Sequence, residues 1–283
     1  SPRGFNDHPR DWRGFLYVYP VLSRRARGLS IGVNLNPDKA CNFDCVYCQV
    51  DRAKAPRTRR VELDTLRGEL DRLLGDAVSG AIFDEPEFAQ TPQPFRRLND
   101  IAFSGDGEPT TCPIFQECVQ LAIDLKSHHG ADGVKIVLIT DAAYLTQPKV
   151  TAALDLMDDA NGEIWAKLDA GTEAYFRRVN RPNVTLSQVI ENITAAARRR
   201  AVTIQSLFAR IDGQPPHVDE IAAFCDRLLD VQAGGGRIKS VQVYTVARPP
   251  AEVEVTALSR DELDAIAQTV AERTSLAVDR FYG

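Results

Sequence analysis

Three cysteines lie close together near the start of the chain, in the run Cys41-Asn-Phe-Asp-Cys45-Val-Tyr-Cys48, directly after an apolar segment. Their spacing is C-x₃-C-x₂-C. Thiolates are the ligands that iron–sulfur clusters use, and three of them on one short loop can hold three corners of a cubic 4Fe–4S cluster. The fourth iron then has no protein ligand from this loop. The spacing therefore predicts a cluster with one open corner, which can take part in chemistry.

A structural zinc site is the alternative interpretation of the same loop. Zinc sites usually combine a C-x₂-C unit with a second Cys or His pair, and the sequence shows no matching pair nearby. The other cysteines, Cys112, Cys118 and Cys225, are scattered, and the last two fall in helical patterns where we expect them to be buried and unreactive. Tyr47 precedes the third motif cysteine; its ring is expected to pack over a planar base or simply to fill the loop.

A glycine-rich turn, Ser104-Gly-Asp-Gly-Glu-Pro109, follows another apolar segment. Gly105 and Gly107 would let a ligand approach the backbone closely. Asp106 and Glu108 could accept hydrogen bonds from an ammonium group. An ordinary tight turn is the alternative, and the spacing does not match the G-x-G-x-x-G nucleotide motif.

Polar residues also end two later apolar segments and lie inside a third. Thr140 and Asp141 could bind a ribose hydroxyl or cap a helix. Lys167 and Asp169 are charged residues in an apolar context, which is costly unless they are paired or functional. They are therefore candidate catalytic residues or a structural ion pair. Gln205 lies inside a further apolar segment and is the third candidate catalytic residue.

From Leu29 onward, short β-branched segments alternate with longer segments of helical period. The predicted strands are 29–35, 100–103, 134–140, 163–168, 202–208, 239–246 and a short last strand, 276–280. The predicted helices are 61–74, 113–127, 147–157, 185–200, 217–229 and 259–272. About six β–α units predict an α/β fold with a parallel sheet, either open or rolled into a partial (β/α)6 barrel. Reactive residues of such barrels gather at the carboxyl ends of the strands, where most of these motifs fall.

Length and composition set further bounds. The chain has 283 residues, of which 44% are hydrophobic, enough for one α/β domain. We predict an N-terminal extension over 1–28 and a barrel over 29–283. Residues 76–98 would be an insertion loop, either functional or a spacer. The basic stretch 54–60 is expected to be a solvated connector or a contact for a phosphate-bearing substrate.

Charge and hydropathy indicate where the protein is located and which partners it does not bind. A net charge of −5 disfavours a nucleic-acid surface. No apolar run approaches the roughly 18 residues that a membrane span needs, and the first residues show no secretory pattern. A reducing compartment also suits thiolate-bound iron. We therefore expect a cytoplasmic protein that does not bind membranes.

The cysteine motif, with its aromatic residue before the third cysteine, resembles the radical S-adenosylmethionine (SAM) superfamily. Ser-Gly-Asp-Gly-Glu-Pro-Thr (104–110) is similar to the glycine–glutamate motif of that superfamily. Four further segments resemble the branch that contains the tRNA wyosine-base synthases. These segments are Lys-Leu-Asp-Ala-Gly (167–171), Arg-Val-Asn-Arg-Pro (178–182), Gln-Ser-Leu-Phe (205–208) and Gln-Val-Tyr-Thr-Val-Ala-Arg-Pro-Pro (242–250).

The resemblance implies roles for individual residues. Cys41, Cys45 and Cys48 would ligate a 4Fe–4S cluster, whose open iron SAM would chelate. SAM would contact seven further residues: Tyr47 near the adenine, Gly105, Asp106, Gly107 and Glu108 at the methionyl ammonium, and Thr140 and Asp141 at the ribose. Lys167, Asp169 and Gln205 would line the barrel near SAM or the substrate.

The resemblance also implies a reaction, in which reductive cleavage of SAM starts radical chemistry on a substrate. An electron donor such as flavodoxin or ferredoxin would reduce the cluster, and a small-molecule substrate is expected. Modification of tRNA is a second reading, although residues 1–40 contain no cysteines for the second cluster of archaeal wyosine synthases. Aminocarboxypropyl transfer from SAM and a non-catalytic iron–sulfur or zinc protein are the remaining alternatives.

Overall fold

The computed structural model describes residues 11–23, 25–248, 250 and 252–283. Its contacts divide the chain into two compact units. Unit 1 consists of the described residues up to Cys41, residues 54–139 and residues 147–163. Unit 2 consists of residues 42–53, 140–146 and 164–283. Cys41 therefore belongs to unit 1, whereas Cys45 and Cys48 belong to unit 2.

The strands of unit 1 lie in chain order. They are β1 (Val18–Ser23), β2 (Gly28–Val33), β3 (Leu98–Phe103) and β4 (Lys135–Thr140), of which the last residue is counted with unit 2. β1 is antiparallel to β2, and the other pairs are parallel. The helices are α1 (Leu63–Ser79), α2 (Phe115–His128) and α3 (Pro148–Asp158).

Local sequence explains where these helices lie and end. Leu66, Leu70 and Leu73 recur at helical spacing on α1 and are fully buried. Gly80 ends that helix in the left-handed conformation, with φ 84°. Pro148 begins α3, where its missing N–H costs no helical hydrogen bond.

Unit 2 contains four neighbouring parallel strands, a separate antiparallel pair and four helices. The parallel strands are β5 (Gly162–Lys167, most of which lies in unit 2), β6 (Val202–Leu207), β8 (Ile238–Tyr244) and β10 (Val278–Phe281). The antiparallel pair is β7 (Ala209–Ile211) with β9 (Val255–Ala257). The helices are α4 (Glu173–Asn180), α5 (Leu186–Arg199), α6 (Val218–Ala233) and α7 (Arg260–Thr274).

Every residue of β6 is buried, as expected for a parallel strand covered on both faces. Side-chain caps fix the starts of the flanking helices. Thr185 accepts a hydrogen bond from the backbone of Gln188 at the start of α5, and Ser259 and Glu262 form a reciprocal capping box on α7.

Every strand and helix predicted from the sequence is present, with bounds that differ by a few residues. Four elements were not predicted: β1, α4, β7 and β9. β1 lies in the stretch assigned to the N-terminal extension and pairs with β2 along its whole length. Residues 1–10 and 24 of that stretch, and Pro249, lie outside the described residues.

The non-periodic stretch predicted at 76–98 begins later than expected, because α1 continues to Ser79. It contains two short 3₁₀ turns, Ala81–Asp84 and Gln93–Phe95. Throughout the described ranges, each helix is too short or too polar to cross a lipid bilayer.

Candidate functional site

Cys45 and Cys48 lie on one tight turn, closed by a hydrogen bond of 2.9 Å from the Cys48 N–H to the Cys45 carbonyl. The three motif cysteines are partly exposed, whereas Cys112, Cys118 and Cys225 are buried, as expected for the last two. All six cysteines fall in the described part of the chain, and none forms a disulfide.

The donor set of this loop fits an iron–sulfur cluster in its chemistry: three thiols on partly exposed residues, none committed to a disulfide. Their conformation is not that of a preformed metal centre. Among the described residues, no three His, Cys, Asp or Glu side chains are grouped closely enough to hold an ion.

The cysteine loop is held by the carboxyl end of α4. The Asp44 N–H donates to the Asn180 carbonyl at 3.0 Å, and the Val46 N–H donates to the Val179 carbonyl at 2.9 Å. The last carbonyls of a helix have no partner within the helix, so the loop satisfies them. Arg181 ends α4 in the left-handed conformation, with φ 43°. The Arg-Val-Asn-Arg-Pro segment is therefore a docking site for the cysteine loop.

The side chain of Asn180 reaches the same loop. It is fully buried, and its Nδ2 lies 3.3 Å from Cys45 Sγ, 3.2 Å from the Tyr47 hydroxyl and 2.8 Å from Asp169 Oδ2. One amide therefore links a predicted cluster ligand to a predicted catalytic carboxylate.

Asp169 is the centre of this polar network. Its side chain is 1% exposed, so its charge requires compensation from the protein. Oδ1 accepts from the Leu207 N–H at 2.8 Å and from Lys167 Nζ at 3.4 Å. Oδ2 accepts from Asn180 and, through a short bond, from the Tyr47 hydroxyl. The ion pair considered from the sequence is thus present, embedded in a larger network.

Lys167 lies between two tyrosine rings. Its Nζ donates to the Tyr244 hydroxyl at 2.8 Å and lies 5.1 Å and 5.3 Å from the ring centres of Tyr47 and Tyr244. Burial lowers the pKa of this ammonium, but the Asp169 charge and the Tyr244 contact outweigh that effect and raise the pKa overall. Lys167 is therefore a protonated cation.

Gln205 lies beside Lys167, at the position in register with it on the neighbouring strand. Parallel register places Lys167 opposite Gln205 on β6, and Gln205 opposite Gln242 on β8. Residues in register on parallel strands point to the same face of the sheet. Gln205 Nε2 donates to Gln242 Oε1 at 2.9 Å, and both residues are buried. Lys167 and Gln205 thus occupy adjacent strand positions of unit 2, and Asp169, just beyond the end of β5, pairs with Lys167.

The pKa of the Cys45 thiol is raised to about 12, first by burial and then by the Asp169 charge, while Lys167, Asn180 and Tyr47 oppose the shift. Burial and the Asp169 charge also raise the pKa of Tyr47 well above its ordinary value. Cys45 is therefore a thiol at neutral pH, and binding of iron would release its proton.

The glycine-rich turn of unit 1 packs against the segment that leads to Cys41. Asn34 Oδ1 accepts from the Asp106 N–H at 3.1 Å, and Asn34 Nδ2 donates to Asp106 Oδ2 at 2.7 Å. A Cβ on Gly105 would lie 2.4 Å from Asn34 Oδ1, and one on Gly107 would lie 1.8 Å from the Ala40 carbonyl. Neither glycine could therefore carry a side chain without displacing Asn34 or Ala40.

Glu108 lies deep in the same turn. Its backbone N–H donates to the Ala40 carbonyl at 3.0 Å. Its carboxylate is buried and accepts from the Thr110 N–H at 3.1 Å and the Thr110 hydroxyl at 2.6 Å. The described contacts of Glu108 thus shape the turn itself.

Thr140 and Asp141 are buried at the end of β4. Thr140 Oγ1 accepts from the Ala142 N–H at 3.0 Å, and Asp141 Oδ1 accepts from the Ala143 N–H at 2.9 Å. Ala142 has a positive φ of 66°. These side chains stabilise a turn; the helix that follows begins only at Pro148, so they do not cap it.

Two residues with clear roles in this arrangement were not singled out from the sequence. Asn180 belongs to a segment noted only for its resemblance, and Glu220 of α6 holds the chain after Lys167 and Asp169. A buried Asn in the last turn of a short helix gives no pattern by itself, because its partners are distant in sequence.

No protein-family model matches the chain. A UPF0026 protein of Helicobacter pylori is 27% identical over 251 residues, covering 86% of this chain and 70% of that protein. A UPF0026 protein of Methanocaldococcus jannaschii is 28% identical over 186 residues, covering 62% of this chain and 48% of that protein.

A solved structure of TYW1 with a lysine–pyruvate adduct bound is similar with a TM-score of 0.52 at 17% identity, covering 88% of this chain and 74% of that one. Archaeal TYW1 follows with a TM-score of 0.46 at 13% identity. The TYW1 structure with the lysine–pyruvate adduct shows that the fold is an α/β partial barrel, as the sequence predicted. The resemblance to wyosine synthases is confirmed at the level of fold.

Proposed function

We propose that this chain is a radical SAM enzyme that acts on a small molecule or another substrate that is not RNA. Cys41, Cys45 and Cys48 would bind a 4Fe–4S cluster, and SAM would complete the coordination of its open iron. The observation that carries the proposal is the turn of Cys45 and Cys48, which is anchored on α4 and joined through Asn180 to the buried Asp169.

When bound and reduced, the cluster would supply the electron that cleaves SAM into methionine and a 5′-deoxyadenosyl radical. The residues of the chain itself would bind and orient SAM and the substrate, and they would exclude water from the site. Asn180 and Val179 hold the cysteine loop, and the Lys167–Asp169 pair presents a fixed cation and carboxylate on one strand end. Gln205 offers a neutral amide beside them.

Contacts to SAM are proposed on the positions that the resemblance indicates. Tyr47 would lie beside the adenine. The turn from Gly105 to Glu108 would receive the methionyl ammonium, with Asp106 as the partly exposed carboxylate of the turn. Thr140 and Asp141 would lie near the ribose.

Lys167 is proposed to act as a charged group and not as a nucleophile. The TYW1 structure similar in fold contains a lysine–pyruvate adduct. An amine must lose its proton to attack a carbonyl carbon, and the raised pKa of Lys167 opposes that step. We therefore assign Lys167 the role of orienting a substrate through its positive charge.

An RNA substrate is the second candidate, and the pairing of arginines argues against it. Arg177, Arg178 and Arg181 are three arginines of unit 2 that could form a positive surface for RNA. Arg177 pairs with Glu173 at 2.7 Å, Arg178 pairs with Asp212 at 3.0 Å, and Arg181 pairs with Glu252. Carboxylates thus reduce the charge that phosphates would meet, in keeping with the net charge of −5.

The deciding experiment is anaerobic reconstitution with iron and sulfide, followed by incubation with SAM and dithionite. We expect 5′-deoxyadenosine and methionine as products. Formation of 5′-methylthioadenosine would instead support aminocarboxypropyl transfer, because the other carbon–sulfur bond is then broken. An intact cluster that yields neither product would rule out the enzyme and leave a non-catalytic iron–sulfur protein. Zinc in place of iron in the purified chain would support the structural zinc site.

Reduction in the cell needs an electron donor, and flavodoxin or ferredoxin is the proposed class. A reduced flavodoxin should replace dithionite in the assay above. Formation of 5′-deoxyadenosine with dithionite but with neither protein donor would contradict that choice.

A further inference from the structure

We propose that Asn180 is a positioning residue whose side-chain amide donates a hydrogen bond to the Cys45 sulfur and thereby sets the reduction potential of the cluster. This inference rests on the proposed function, because it concerns the cluster that Cys45 would bind. It assigns a role to a residue that contacts a metal ligand and is not itself a ligand.

Asn180 Nδ2 carries two hydrogens and lies within bonding distance of three acceptors: Asp169 Oδ2 at 2.8 Å, the Tyr47 hydroxyl at 3.2 Å and Cys45 Sγ at 3.3 Å. The carboxylate takes one hydrogen, since it is the nearest and the charged acceptor. The second hydrogen is shared between Tyr47 and Cys45.

Binding of iron by Cys45 determines whether the second Asn180 hydrogen points to Tyr47 or to Cys45. A cysteine that binds iron is a thiolate, and a charged acceptor forms a stronger hydrogen bond than a neutral phenol oxygen. The Tyr47 hydroxyl already donates to Asp169. Tyr47 therefore stays hydrogen-bonded even when it accepts no hydrogen from Asn180. In the loaded protein the second hydrogen therefore points to the Cys45 sulfur.

The orientation of the amide is fixed by its surroundings. Asn180 is fully buried, so water does not compete for its hydrogens. Its Oδ1 has no hydrogen-bond partner among the described residues. Turning the amide over would place that oxygen against the Asp169 carboxylate and leave two acceptors facing each other. The Asn180 carbonyl also accepts from the Asp44 N–H, so one residue holds the loop through both its main chain and its side chain.

A hydrogen bond to a ligand sulfur stabilises the reduced cluster more than the oxidised one, because reduction adds negative charge. Loss of this donor should therefore make the reduction potential more negative. A merely structural role for Asn180 would change stability and leave the potential of an assembled cluster unchanged.

The test compares wild type with Asn180→Leu, which keeps the size of the side chain and removes the donor. Thr274→Val is the matched control: Thr274 is also buried in unit 2, and its hydroxyl donates to the Val270 carbonyl at 2.6 Å. Reconstituted proteins are titrated without SAM, and the reduced cluster is followed by electron paramagnetic resonance. We expect a more negative midpoint in Asn180→Leu and an unchanged midpoint in Thr274→Val. An equal midpoint in all three assembled proteins would overturn the inference.

A second measurement needs only the wild type, in case Asn180→Leu does not assemble a cluster. Pulsed electron paramagnetic resonance of protein labelled with ¹⁵N in asparagine side chains should detect one amide nitrogen coupled to the reduced cluster. An assembled cluster without that coupling would contradict the role of Asn180 alone. Wild type that binds no iron at all would instead overturn the proposed function.

Discussion

The carboxylate of Glu220 on α6 accepts a hydrogen bond of 2.6 Å from the backbone N–H of Gly171. It also accepts from the Thr172 N–H at 3.2 Å and from the Thr172 hydroxyl at 2.6 Å. A Cβ on Gly171 would lie 2.0 Å from the backbone nitrogen of Phe224. The segment that follows Lys167 and Asp169 is therefore fixed to α6 by both packing and hydrogen bonds.

We expect Glu220→Gln to lower the free energy of unfolding by about 1–3 kcal/mol, because the new NH₂ group faces N–H donors and leaves one of them unpaired. Production of 5′-deoxyadenosine should fall with it, since Asp169 lies at the start of the displaced segment. Urea unfolding and product analysis measure both effects. Glu191→Gln, on the exposed surface of α5, should match wild type, and equal stability of both variants would contradict the role of Glu220.

The pKa of Asp100 predicts a pH dependence of stability. Asp100 accepts a short hydrogen bond from Ser30. Burial raises its pKa to about 6, while Ser30 and Lys135 oppose the shift. The folded state thus holds the proton more tightly than the unfolded state. Its contribution to stability is complete below about pH 4 and is lost as the pH rises through about 6.

Asp100→Asn should remove that loss and raise the free energy of unfolding at pH 7 by on the order of 2 kcal/mol. Urea unfolding from pH 4 to pH 7 gives the comparison. The exposed Asp124 provides the control, and Asp124→Asn should keep the pH profile of wild type. An identical profile for Asp100→Asn would show that Asp100 does not retain the proton.

Gly107 should not tolerate a side chain. In Gly107→Ala the new Cβ would lie 1.8 Å from the Ala40 carbonyl oxygen, so the glycine-rich turn must move away from the segment before Cys41. We expect a loss of about 1–3 kcal/mol in unfolding free energy and weaker SAM binding by calorimetry. Gly68→Ala lies in α1 with no atom within 4 Å of the new Cβ, and it should stabilise by about 0.5–1 kcal/mol. Equal effects of the two changes would contradict this account.

Iron content should separate the two groups of cysteines. Cys45→Ala is expected to lose the iron-dependent visible absorbance after reconstitution. Only two of the three thiolates that would bind the cluster remain in that variant. Cys225→Ala should retain it, since Cys225 is buried in α6. Iron analysis of both variants checks this, and full iron loading of Cys45→Ala would remove Cys45 from the ligand set.

Lys167 should form no adduct with pyruvate. Its ammonium donates to Tyr244 and Asp169, and the Asp169 charge helps to keep it protonated. After incubation with pyruvate and cyanoborohydride at pH 7, peptide mass spectrometry should find Lys167 unmodified. The exposed Lys54 provides the internal reference for non-specific reaction. Selective modification of Lys167 would assign it a covalent role instead.

Much of the fold could be predicted because its helices and parallel strands carry strong periodic signals. The Leu66, Leu70 and Leu73 stripe indicates α1, and the continuous apolar segment at β6 indicates a strand covered on both faces. α4 was missed because it has eight residues and many polar side chains. β7 and β9 have three residues each, too few to show alternation.

The residues of the candidate site could be predicted from their types. The hydrogen bonds that these residues form with one another could not. Lys167, Asp169 and Gln205 attract notice as polar residues among apolar ones. The bond from Tyr47 to Asp169, and the bond from Asn180 to Cys45, join residues more than a hundred positions apart. Such pairs depend on strand register and helix placement, which periodicity does not specify. Gly105 and Gly107 were expected to let a ligand approach the backbone. The structure shows that an added Cβ on either glycine would meet Asn34 or Ala40, and the ligand contact stays a prediction.

The anchoring of the cysteine loop on α4 has a consequence for biogenesis. Cys45 and Asn180 are 135 positions apart, so a nascent chain emerging from the ribosome exposes its cysteines long before α4 has been synthesised. Until then the thiols are unrestrained and open to oxidation or to the wrong metal. Delivery of iron and sulfide to the finished chain, and not to the growing one, is the order of maturation that this connection favours.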